Sequence, residues 1–225
     1  MWEKFMAVLG VCELFRGMDA KEILSLIPCL RPSVRAFPRG EMICQAGQPQ
    51  DEIGIVLEGE IQIIRENLDG SRLIIGQTGP GELFGEISAY AGQARWPGTV
   101  LTQTSGHVLF LHTGKLLEPC CQSCDFHRRL IRNMLAIVAR KAMVMNRRLD
   151  YLRMGGMRQK LAAYLYEQYR QSGSKTFLLP VNREEMADYL GVSRPSMSRE
   201  LGRMKNEEMI DFYKSSFTIR SVDSL

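Results

Sequence analysis

The stretch Gly191-Val192-Ser193-Arg194-Pro195-Ser196-Met197-Ser198-Arg199 sets small, capping and basic side chains in an order with a definite chemical use. Arg199 can present two parallel N–H donors to the O6 and N7 acceptors of guanine. Ser196, Ser198 and the first amides of a helix opened by Ser193 can take phosphate oxygens or base edges. That chemistry needs the donors on one side of one helix. At about 100° per residue, Pro195, Ser196, Arg199 and Arg203 project away from Met197, Leu201 and Met204, so a presented face and a buried face follow from the spacing.

The elements around this stretch have to hold it. Asn182 and Glu185 stand in capping-box spacing and open a helix whose inner side is Met186, Ala187 and Leu190. A small Ala187, a Gly191 four residues on and an apolar Met197 six further supply close approach, a sharp turn and a core anchor for two crossing helices. Pro195 is tolerated because first-turn amides have no intrahelical acceptor. Upstream lie an amphipathic helix, Arg158 to Tyr169 with Leu161, Leu165 and Tyr169 on one face, and a short strand, Phe177-Leu178-Leu179. Downstream, Met209–Phe212 and Phe217–Ile219 flank Tyr213-Lys214-Ser215-Ser216, the pattern of a hairpin wing. Lys214, Ser215 and Ser216 at its tip suit phosphate contact, and a plain surface hairpin is the alternative.

From about Phe126 to Leu152 the chain has neither Gly nor Pro. Ile131, Leu135, Val138, Ala142, Met145, Leu149 and Leu152 recur at spacings of 4 and 3, an unbroken seam for a second helix. A second stripe, Leu130, Met134 and Ile137, cannot meet the same partner. We assign it to the N-terminal domain and the seam to an identical helix of another subunit, against the alternative of a long core helix in a monomer. Gly155-Gly156 ends the helix and is a candidate hinge. Charge follows the same divisions: residues 1–125 are net acidic, with ten Lys/Arg against fifteen Asp/Glu, whereas residues 126–156 hold eight against one and residues 157–225 eleven against nine.

Residues 36–113 are punctuated by glycine between short runs such as Glu60–Ile64 and Arg72–Ile75, with Asp69-Gly70 as the clearest hairpin turn. This reads as an all-β roll, with one or two short helices over Cys12–Ile27 packed on it. The longest apolar runs, such as Ile53–Leu57, fall far short of the ~18 residues of a membrane span. The start Met1-Trp2-Glu3-Lys4 lacks the basic-then-apolar order of a secretory signal, so a cytoplasmic protein with reduced thiols is expected.

Taken together, the glycine-punctuated roll, Pro80-Gly81-Glu82-Leu83-Phe84-Gly85-Glu86, the long helix and the 191–199 stretch resemble the Crp/Fnr family of bacterial transcription regulators, from about Leu14 to Ile219. The resemblance implies an α+β fold: an effector-sensing, cyclic-nucleotide-binding-like β-roll over 1–125, a dimerisation helix and hinge over 126–156, and a winged helix-turn-helix over 157–225. It also implies a homodimer on a two-fold symmetric double-stranded DNA operator, allosteric control through the dimer helix, and RNA polymerase as a candidate second partner. Family recognition helices read half-sites through residues that fall here at Arg194, Pro195 and Arg199. Pro195 departs from the acidic residue of the best-known member, so the operator cannot be copied over.

The effector site departs too. In cAMP-binding members Gly-Glu is followed about ten residues later by Arg-Ser or Arg-Thr, the arginine pairing with the cyclic phosphate. Here Gly85-Glu86-Ile87 is present, but counting back from Val100 puts Trp96-Pro97 in the arginine's place and Arg95 one residue early. Trp96 cannot neutralise a phosphate and Pro97 has no amide hydrogen. A one-residue bulge that restores Arg95 is one alternative; a pocket lined by Trp96 for another ligand is a second. Cys120, Cys121, Cys124 and His127 form a third candidate, compatible with thiol redox or soft-metal ligation. Iron–sulfur members carry their cysteines near the N-terminus, where Cys12 and Cys29 stand alone. His107 and His112 read as ordinary strand residues. A hydrolase finds no Ser/His/Asp or paired-carboxylate arrangement, and a nucleotide-binding regulatory subunit without DNA affinity would leave the helix-turn-helix unexplained.

Overall fold

The computed structural model describes residues 2–66, 72–92, 95–117 and 125–221. The chain divides into two compact units, Met1–Arg140 and Lys141–Leu225.

Unit 1 opens with helical segments of which the sequence signalled only the later part: a 3-10 turn Trp2–Phe5, α1 Met6–Val11, a second 3-10 turn Glu13–Phe15, and α2 Ala20–Leu30. An Asp19/Glu22 capping box starts α2. Among the described residues eight strands follow, with two short helices among and after them: β1 Ser33–Phe37, β2 Met42–Cys44, β3 Glu52–Glu58, β4 Ile61–Glu66, β5 Arg72–Thr78, β6 Leu83–Phe84, α3 Glu86–Tyr90, β7 Thr99–Thr102, β8 Gly106–His112 and α4 Thr113–Leu117. They pair antiparallel in two four-stranded sheets, β1-β8-β3-β6 and β2-β7-β4-β5. The expected Asp69-Gly70 turn between β4 and β5 lies outside the described residues.

Side-chain alternation on β3 and β8 divides the burial. Ile53, Ile55, Leu57, Leu109 and Leu111 point to a core shared with Leu14, Phe15, Ile23 and Leu26 of the helical segments. Val56, Val108 and Phe110 point the other way, into a second core with Phe84, Trp96 and Val100. Gly54 is required there, because a Cβ at that position would meet the Phe84 ring at 2.1 Å. The long helix, α5 Asp125–Arg153, buries Leu130, Met134 and Ile137 in the first core, as the second stripe predicted. At about 1.5–3 kcal/mol for each fully buried large apolar side chain, this stripe fixes the start of α5 to the roll.

Unit 2 contains the rest of α5, then α6 Met157–Ser172, β9 Thr176–Leu178, α7 Arg183–Leu190, α8 Arg194–Asn206, β10 Ile210–Tyr213 and β11 Ser216–Ile219. The expected wing hairpin is present, and the short strand expected at Phe177–Leu179 joins it as β9, in the order β10-β11-β9. Gly156 N-caps α6 at φ −120°, an extended conformation open to any residue, so the hinge expectation draws no support from the backbone. Among the described residues no helix is long and apolar enough to cross a membrane.

Candidate nucleic-acid interface and effector groove

The two helices that present the basic residues are set by local chemistry. The Asn182 side chain accepts from the amides of Glu184 and Glu185, and the Glu185 carboxylate accepts from the Asn182 amide at 2.8 Å, completing the expected box on α7. Gly191 ends α7 at φ +62°, and a Cβ there would lie 2.4 Å from a methyl of Leu152, so both the turn and the close approach demand glycine. Ser193 does occupy the N-cap of α8, but its side chain makes no capping hydrogen bond, a correction to the expected role. Pro195 sits in the first turn without cost.

Met197, Leu201 and Met204 are fully buried together with Met186, Ala187 and Leu190, which turns the opposite side of α8 to solvent. Arg194, Pro195, Ser198, Arg199 and Arg203 are exposed there, and Ser196 is half-buried. Arg199 Nη2 donates to Ser196 Oγ at 3.1 Å, which orients the guanidinium along the helix. Arg194 pairs with Glu184 at 3.3 Å and Arg203 with Glu200 at 3.2 Å. The Arg194 pair is solvent-facing on both sides and worth ~0–1 kcal/mol, so this arginine is released at little cost. At the wing, Lys214 and Ser215 form the two-residue turn between Tyr213 and Ser216, and Lys214 is exposed at φ +53°.

Several charged residues at this face have no mark in the sequence. Arg158 holds Glu200 at 2.7 Å and chelates Glu207 at 2.6 and 2.8 Å, which raises the arginine above its ordinary value and lowers Glu207. Asp211 accepts from Lys205, Arg220 and the Phe212 amide, and these bonds hold its carboxyl far below the usual carboxylate range. Arg158 stands 42 residues from Glu200 and 49 from Glu207, too far for any spacing rule to link them. Arg183 did leave a signal: a cation in the first turn of α7 runs against the helix dipole and needs a reason.

Of the seam residues, Leu135, Met145, Leu149 and Leu152 are exposed large apolar side chains, Ala142 is exposed and Ile131 half-buried. Val138 is partly taken up by the roll core.

In unit 1 the groove beside Gly85-Glu86 is occupied by the chain itself. Gly85 takes φ +82°, and a Cβ there would meet Trp96 at 2.5 Å and Gln50 at 2.7 Å. Gln50 donates to the Gly85 carbonyl at 2.7 Å and accepts from Ser88 Oγ at 2.8 Å. Trp96 is buried against Phe84, their ring centroids 5.9 Å apart. Arg95 spends its guanidinium on the Gly47 carbonyl at 2.6 Å. Glu86 is buried and Ile87 stays at the surface. These residues do not fit a cyclic phosphate, since an indole packs against Gly85 and Arg95 is turned to backbone.

Cys120, Cys121 and Cys124 lie outside the described residues. His127 is buried with Nε2 3.0 Å from the Leu116 carbonyl, which assigns the ring hydrogen to that nitrogen. Burial pushes the Cys12 thiol up to about 11 and Cys44 up to about 12, so neither is a ready thiolate. His107 lies in β8 with Nδ1 2.7 Å from Glu58, and His112 ends the same strand.

A two-sheet roll followed by a long helix and a winged helix-turn-helix defines a DNA-binding transcription regulator with its sensor in the same chain. The sequence matches the family model of a cyclic nucleotide-binding domain over residues 34–122 and that of a Crp-like helix-turn-helix domain over residues 159–225. The chain thus resembles Crp/Fnr-type transcription regulators in both of its matched domains. It is 23% identical over 223 residues to the CRP-like cAMP-activated global transcriptional regulator of Mycobacterium tuberculosis, covering 97% of this chain and 96% of that one. It is 27% identical over 211 residues to the cyclic AMP receptor protein of Thermus thermophilus, covering 92% of each. The crystal structure of the catabolite activator protein of Thermus thermophilus shares the fold with a TM-score of 0.54 at 23% identity, over 94% of this chain and 95% of that one.

Proposed function

We propose that this regulator acts in the cytoplasm as a homodimer on a two-fold symmetric operator, with α8 in the major groove and Arg199 reading guanine. The observation that carries this is the division of α8: Met197, Leu201 and Met204 are wholly buried while Arg194, Ser198, Arg199 and Arg203 are exposed on the far side. Ser196 and the Lys214 wing tip supply phosphate contacts that fix register. The exposed seam from Leu135 to Leu152 supports pairing with the same helix of a second copy, since a monomer would leave four large apolar side chains in water.

Residues 1–125 serve as the sensor, 126–156 as the dimer helix and 157–225 as the reader. The signal is a ligand other than a cyclic nucleotide, a reading supported by Trp96 over Gly85 and by Arg95 on Gly47. The test is electrophoretic mobility shift on genomic fragments with the full chain. Retention of a discrete set with inverted half-sites about one helical turn apart is expected. Uniform retention of all fragments would refute sequence reading by α8.

A further inference from the structure

We infer that Arg183 is the positioning residue of the wing: it does not touch DNA but holds Lys214 where Lys214 can reach phosphate, an inference resting on the wing contact proposed above. Arg183 is half-buried at the first position of α7. Its guanidinium lies over the Phe212 ring at 4.9 Å and over the Phe217 ring at 4.5 Å, the two residues paired across β10 and β11. From that seat Nη2 donates to the Lys214 carbonyl at 3.2 Å and Nη1 approaches Met186 Sδ at 3.9 Å. Burial lowers its affinity for a proton, although a guanidinium stays charged.

Lys214 is held at φ +53°, a left-handed conformation that is strained for a non-glycine residue and persists only where neighbours enforce it. Both carbonyls of the turn are tied down: Lys214 to Arg183, and Ser215 to the Leu179 amide at 2.9 Å. The side chains of Arg183, Arg194, Phe212 and Lys214 border one cavity of about 600 Å³ beside α7 and α8. Arg183 therefore couples the strained tip of the wing to the first helix of the helix-turn-helix. An arginine free to grip phosphate would not be seated on two rings with a backbone carbonyl as its acceptor.

The experiment compares Lys214→Ala, Arg183→Met, Arg183→Lys and the double variant Arg183→Met/Lys214→Ala in the full chain. Affinity for a retained genomic fragment is measured across salt concentrations, together with amide hydrogen exchange over residues 213–216. Lys214→Ala is expected to lower the salt slope by about one ion. Arg183→Met should lower it equally, Arg183→Lys should fail to restore it, and the double variant should lose no more than Lys214→Ala alone. Exchange over 213–216 should rise about fivefold in both Arg183 variants, as for the loss of one hydrogen bond. Restoration of the slope by lysine, or additive loss in the double variant, would mean that Arg183 meets phosphate itself and would overturn the inference. If Lys214→Ala leaves the slope untouched, the wing contact fails as a reading. The exchange data then decide Arg183 alone: faster exchange sustains its positioning role, and unchanged exchange overturns it. Should Arg183→Met fail to fold, Arg183→Lys carries the same measurements.

Discussion

Arg199 and Lys214 offer DNA different things and should fail differently. Arg199 stands on the presented face of α8, where a bidentate contact carries ~1–3 kcal/mol of discrimination. Arg199→Ala should therefore weaken a cognate fragment far more than scrambled DNA, whereas Lys214→Ala should weaken both alike. Equal loss on both duplexes for Arg199→Ala would make this arginine a phosphate contact. Asp211 gives the sequence-silent counterpart. Lys205, Arg220 and the Phe212 amide depress its folded pKa below the unfolded value of ~3.9, so the stabilisation is complete above that pH and fades as pH falls through the folded value. Asp211→Asn should lower the thermal midpoint at pH 7, with the gap to the parent protein narrowing below pH 4 in a calorimetric series; a gap constant across pH would exclude this linkage. The recognition face was legible because helix period and caps are local properties. The Arg158–Glu200–Glu207 cluster was not, since it joins residues that only the tertiary fold brings together.

Elements repeat this contrast between local and long-range information. The capping box on α7, the glycine turn before α8 and the Leu130, Met134 and Ile137 stripe of α5 follow from short spacings, and each is found where it was expected. The pairing of β9 with β11 and the helical segment before Cys12 were not foreseen, because a three-residue strand and a one-turn helix carry too little pattern. Within the seam, Val138 leans on the roll core, whereas Met145 and Leu149 are exposed. Met145→Glu with Leu149→Glu would bury four like charges in a paired seam at a cost of several kcal/mol. Sedimentation should then show a monomer with the circular-dichroism spectrum of the parent. A full dimer after both changes would mean that the subunits pair elsewhere.

At the scale of the whole chain, an acidic sensor is joined to a basic helix and reader, a distribution that favours approach to DNA with the C-terminal part first. In the proposed reading, the N-terminal domain decides what releases or engages that approach. Calorimetry with cAMP is expected to give no saturable binding in the micromolar range, because Arg95 is bonded to Gly47 and the Gly85 cradle is filled. Micromolar affinity lost on Arg95→Ala would establish the bulged alternative. The same cradle also makes the protein its own optical probe. The chain has two tryptophans, and Trp96 is the one packed among Phe84, Val100 and Phe110. In a Trp2→Phe background its emission should lie toward the blue, as for an indole shielded from water. Any compound that enters over Gly85 has to push this ring aside, and the emission would move to the red in proportion to occupancy. A library of metabolites could thus be screened on the unlabelled protein by the colour of one residue.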